Sequence, residues 1–152
     1  MESFYATLSQ IAFTILGLWW VVVQFKYDLW KASPGRRTIA GAISAHYVAL
    51  GLVAVVAAMS GEVRTIWRAG TLLGGLFGAG VSVWALSKAL FTPAQRIVTV
   101  LSAAVFVVVL VLTFIYEPLF GLTPVMLNAI CDVILLGLGL LQTWLFMMED
   151  AA

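Results

Sequence analysis

Charged residues are scarce in this chain. They fill 10% of its 152 positions, eight Lys and Arg against seven Asp and Glu. An ordinary soluble domain carries about a quarter, so a soluble fold of this composition would lack the polar surface it needs. The net charge of +1 makes no basic field, which excludes nucleic acid as a partner. Cysteine is nearly missing too. Cys131 alone permits no internal disulfide and no zinc site built on several thiolates, and in an apolar helix it reads as a small hydrophobe. One histidine, His46, and scattered acids leave no cluster of metal ligands and thin support for haem. Neither a nucleophile elbow nor a phosphate-binding loop is present. The chain therefore reads as a non-enzyme without a cofactor. No Lys or Arg precedes the first apolar run and no small-residue cleavage site follows it, so that run reads as a retained first span.

What is there is apolar: 63% of residues are hydrophobic and the mean hydropathy is +1.09. Five stretches, at approximately 4–25, 38–59, 67–91, 96–116 and 124–147, are long enough to cross a hydrocarbon core of about 30 Å as helices rising 1.5 Å per residue. The breaks "KYDLWKASPGRRT", "SGEVRT", "FTPAQR" and "EPLFGLTP" hold the Gly, Pro or charge that ends a span. Nothing alternates as a barrel strand would, and backbone in lipid must bond to itself. The expected fold is an all-α integral membrane protein, one domain over 1–152 that bundles five transmembrane helices.

Successive breaks fall on alternate faces of the bilayer. One face collects Lys26, Lys31, Arg36, Arg37, Lys88 and Arg96, the other only Arg64 and Arg68. The basic face is read as cytoplasmic, which puts the N-terminus outside and the C-terminus inside. The expected location is the cell membrane, as a multi-pass protein of a bacterial inner membrane. Tyr5, Trp67 and Tyr116 would form the outer aromatic belt, with Tyr27, Trp30, Trp84 and Trp144 the inner one. The basic first loop is the topology signal itself or a contact to anionic headgroups.

The first span carries a pattern of its own. Ser3, Thr7, Gln10, Thr14, Gly17, Val21, Gln24 and Asp28 recur at alternating steps of four and three, a seam along one helix face. Ser9 is the polar residue well inside the span that misses it. The fifth span repeats the pattern with Asn128, Asp132, Leu135, Gly139, Gln142 and Phe146. Both spans start on the same side, so the seams match in depth. Either they line a wet path or they are packing faces, because Thr, Gln and Gly also bond helices to one another in lipid.

Asp132 is the acid deepest in a span, where an aspartate costs about 3 kcal/mol to insert. Its expected partners are Gln10, Thr14, Asn128 and Arg68. His46 lies deeper, with a backbone carbonyl or Ser44 as its ordinary partners, and joins Asp132 as a candidate titrating group. Gly70, Gly74, Gly78 and Ser82 form a small-residue ridge for close helix packing. The aliphatic fourth span is expected to face lipid most, with Thr99, Ser102 and Thr113 bonding back to their own helix. These features predict a small channel or simple carrier for an ion or proton. Glu2 and Asp28 at its mouths would favour cations, and Thr7, Gln10, Thr14, Gln24, Asn128, Asp132 and Gln142 would border the path. The other reading is a non-transporting subunit that assembles with itself or a partner through the seams. Either way the partners are the lipid bilayer and, most directly, further copies of the chain in a homo-oligomer.

Overall fold

The computed structural model describes residues 1–61, 63–89 and 91–148. Five helices follow one another: α1 Glu2–Trp30, α2 Pro34–Met59, α3 Arg64–Lys88, α4 Pro93–Leu112 and α5 Pro124–Met148. All five are long and apolar enough to cross a membrane. The first runs to Trp30, beyond the expected end at 25, and α4 stops at Leu112, short of 116.

Local chemistry sets the helix starts. Ser33, Thr92 and Thr123 each stand before a proline that opens a helix, where the missing N–H costs nothing. Ser33 Oγ accepts from the Arg36 amide, and Thr92 and Gln95 complete a reciprocal capping box. Thr123 Oγ1 accepts from the Met126 amide at 3.3 Å. Between α4 and α5 the chain reverses at Phe120 and Gly121, with φ of 54° and 77°, and Leu119 and Leu122 pair across the turn. Glycine adopts that left-handed backbone without strain.

Helices α2, α3, α4 and α5 pack in sequence, and α5 returns to α2, closing a ring of four. The first helix lies outside this ring against α2. It reaches α5 through side chains: the Tyr5 hydroxyl donates to the Val125 carbonyl at 3.0 Å, and Trp19 and Trp30 close on Phe146. Met1, the α2–α3 turn and the α4–α5 connection share one end, called here the Met1 end. The α1–α2 and α3–α4 turns share the other.

Lipid chains are as apolar as leucine, so close approach and not water exclusion holds such helices together. A Cβ at Gly70 or Gly74 would collide with Val56 or Val53 of α2, and one at Gly78 with the Phe106 ring of α4. One helix thus turns small residues to both neighbours. Ser82, buried on the same ridge, donates to the Gly78 carbonyl.

Two expectations need correction. In its most apolar window α1 has 22% of residues buried and α4 has 39%, so α1 faces outward most. It borders mainly one neighbour, whereas α4 is a full member of the ring. Tyr5, Trp67 and Trp30 are 1%, 5% and 2% exposed, so they belong to the core and not to belts. Tyr27, Trp84, Tyr116 and Trp144 are exposed. The size of an aromatic ring satisfies the gap between α1 and the ring as well as it would a headgroup layer.

Candidate functional site

The buried face of α5 carries the polar groups. Asn128 and Asp132 are 0% and 1% exposed. They stand one helical turn apart, as i and i+4 neighbours do, and Asn128 Nδ2 donates to Asp132 Oδ2 at 3.1 Å. Tyr5 is within electrostatic reach of Asp132. The Asn128 side chain and the Trp67 indole N–H both approach the Tyr5 hydroxyl. Asn128 Oδ1 is buried with no hydrogen-bond partner, as is Thr71 Oγ1 on α3. Each such group gives up hydration without replacement, a cost of about 1–3 kcal/mol.

The second station is His46 on α2. Its Nε2 lies 2.8 Å from the Leu135 carbonyl. A carbonyl only accepts, so Nε2 bears the proton and Nδ1 keeps a lone pair in the neutral ring. The partner is thus a backbone carbonyl; Ser44 serves Trp19 Nε1 instead. Gly139 explains how the ring fits: a Cβ there would lie 2.9 Å from His46 Cδ2. Phe106 meets the imidazole edge to face at 5.4 Å.

Below the imidazole lies a cavity of about 30 Å³, whose wall includes His46, Ser82, Thr99, Ser102 and Gln142 from all four ring helices. One water needs about 10–15 Å³ of such space. Thr99 and Ser82 spend their hydroxyl protons on the Gln95 and Gly78 carbonyls, which leaves oxygen lone pairs. Gln142 Oε1 is buried without a partner. The wall therefore offers mostly acceptors, and it suits water, a proton or a small cation. Nearby, Thr143 donates to the Gly139 carbonyl, so Tyr47 is the donor in its 3.2 Å contact with Thr143.

Between the stations the interior is apolar. Leu135 follows Asp132 by three residues, about 4.5 Å of helix rise. Leu135, Phe106, Leu50 and Val109 are each 1% exposed and belong to one core cluster. They separate the Asp132 pair from the cavity under His46.

The α1 seam points elsewhere. Thr7, Gln10, Thr14, Gln24 and the seam's other members are all exposed. The buried residues of α1 are Tyr5, Leu8, Ser9, Ala12, Trp19 and Trp30. At about 100° per residue the two sets lie on opposite sides of the helix. This corrects the expectation that α1 and α5 seams border one space: Asn128, Asp132 and Gln142 turn into the ring, while Thr7, Gln10, Thr14 and Gln24 turn away from it. Gln10 and Thr14 therefore do not serve Asp132. Arg68 does not either, because its Nη2 donates to the Ile115 carbonyl and its guanidinium stacks on Tyr116. Asp28 is held at 2.6 Å by Lys31 on the surface.

Sequence reasoning assigned Trp67 to the outer aromatic belt and did not single out Thr71; it treated Thr99 and Ser102 as helix-internal and Ser82 as part of a packing ridge. Their side chains converge only because four helices meet. No three His, Cys, Asp or Glu side chains among the described residues gather as a metal site. The chain matches no protein-family model, no curated protein and no solved structure.

Proposed function

We propose that the protein is a multi-pass subunit of the cell membrane that passes a proton or small cation through its α2–α5 ring, and that it works as a homo-oligomer joined along α1. One observation carries the reading: Asp132, 1% exposed, sits inside a ring of membrane-length helices. An aspartate costs about 2.5–3.5 kcal/mol at mid-membrane, and such residues mark ion or proton pathways. A chain selected only to fold would do better with leucine there.

His46 and the acceptor-lined cavity supply the next station toward the α3–α4 turn. The Phe106 and Leu135 layer is the closed barrier between stations, and passage requires Phe106 to swing aside. With the basic loops cytoplasmic, Asp132 faces the outer half and His46 the middle. In liposomes the wild type is expected to carry a proton or cation flux that falls at least about tenfold in Asp132→Asn, equivalent to 1.4 kcal/mol. Equal flux in a folded Asp132→Asn variant overturns this role.

A second reading is favoured by α1. Its exposed edge of Thr7, Gln10, Thr14 and Gln24 suits a membrane subunit that does not transport but assembles with itself or a partner. Absence of any ion flux from liposomes, together with disulfide cross-linking of Gln10→Cys protomers, would select it.

A further inference from the structure

The Met1 end holds a feature that neither reading uses. A cavity of about 110 Å³ opens between the start of α3, the α4–α5 connection and the start of α5, and its wall includes Arg64, Trp67, Arg68, Tyr116, Thr123 and Val125. That is several times the space of about 10–15 Å³ that admits one water.

The polar groups on this wall are nearly all donors. Arg64 and Arg68 stand one turn apart on α3, and neither has a carboxylate partner among the described residues. Arg68 is fixed in place: Nη2 donates to the Ile115 carbonyl at 3.3 Å, and the guanidinium lies 3.7 Å from the Tyr116 ring centroid. Its Nε is buried and unpartnered. Trp67 is 5% exposed, and its Nε1 is directed toward the Tyr5 hydroxyl without closing a hydrogen bond of normal geometry. The α5 N-terminus adds the positive end of a helix dipole. The Thr123 hydroxyl oxygen is already engaged by the Met126 amide. Glu2 lines an adjoining cavity that shares Arg64, Trp67 and Val125, and it makes no ion pair with either arginine.

Two guanidinium charges, one of them with a buried unpartnered Nε, and a helix start are the complement of an oxyanion. We propose that this cavity binds a phosphate-type oxyanion, supplied by the headgroup of an anionic phospholipid or by free phosphate. Its place at the helix ends, beside the exposed Tyr116 ring, is the depth at which a lipid headgroup sits.

The test uses the full chain in a neutral detergent and measures binding by calorimetry. The probes are dihexanoyl phosphatidylglycerol, dihexanoyl phosphatidylcholine and inorganic phosphate. Phosphatidylglycerol is expected to bind at one site per chain, and tighter than phosphatidylcholine. Arg64→Gln, at an exposed position with no ion-pair partner among the described residues, should weaken binding about tenfold, the scale of one charge-assisted bond. Trp67→Phe keeps the ring and removes the N–H, and should weaken it by a smaller factor. Binding of phosphate with equal affinity and the same variant response makes free anion the source and keeps the site. Binding unaffected by Arg64→Gln and Trp67→Phe overturns it, as does equal binding of the phosphatidylcholine probe or no binding at all.

Discussion

Helices α1 and α5 carry the same alternation of polar and small residues and turn it in opposite directions. On α5 the edge is the inner wall of a four-helix ring, with Asp132 and Asn128 closed off from solvent. On α1 it is the outermost surface of the molecule. The difference comes from what covers each helix. The fifth helix packs between α4 and α2, so its small and polar residues meet other helices. The first is held from one side by Tyr5, Trp19 and Trp30, and its polar edge turns away from the ring. A seam in sequence therefore marks a distinct helix face without saying whether the fold buries it.

The largest expected contrast comes from glycine. Gly139→Leu has to displace His46, since even a Cβ there approaches the ring to 2.9 Å. It should cost about 1–3 kcal/mol or more of stability in detergent, read as a lower unfolding midpoint. Gly17→Leu on α1 meets open space and should leave that midpoint unchanged. Equal losses at the two sites would erase the distinction between the edges.

Asn128→Ala is expected to cost about 1–3 kcal/mol, because it leaves Asp132 without its amide donor. Thermal unfolding in detergent measures this, and Thr14→Ala on the α1 edge serves as the control with no expected change. Gln10→Leu combined with Gln24→Leu should keep the monomer folded and weaken self-association. At about 0.6–2 kcal/mol per polar contact between helices, energy transfer between labelled copies in bilayers should report a loss of several-fold or more. Undiminished association would place the subunit contact elsewhere. The smallest effect is expected for Asp28→Asn. The Asp28–Lys31 pair is 84% and 54% exposed, and water screens such pairs to near nothing. A flat unfolding midpoint checks it.

Part of this was legible in the residues themselves. Five apolar stretches and their Pro, Gly and charged breaks indicated five helices, because span length and backbone satisfaction in lipid leave few alternatives. The α5 edge was readable as special, since a lone deep aspartate demands a sheltered place. Its shelter was not. Gln10 and Thr14 match Asp132 in depth, but depth says nothing about azimuth, and the rotation of α1 is set by Trp19 and Trp30 reaching Phe146. Ser9 shows the same thing from the other side: the polar residue that missed the seam is the buried one. It satisfies itself by donating to the Ala6 carbonyl. The cavity under His46 was invisible because Ser82, Thr99, Ser102 and Gln142 come from three different helices: Thr99 and Ser102 read singly as helix-internal bonds, Ser82 as a packing position and Gln142 as part of the α5 seam.

The central claim is that the ring interior, and not the α1 edge, borders the path. The direct measurement is proton and cation flux into liposomes for wild type, Asp132→Asn and Gln10→Leu, compared at matched protein density with each variant's helicity verified. Flux that collapses in Asp132→Asn while Gln10→Leu retains the wild-type rate per assembled complex is the expected result. Flux that survives Asp132→Asn and collapses in Gln10→Leu would put the path on the outer edge of α1 and contradict the account.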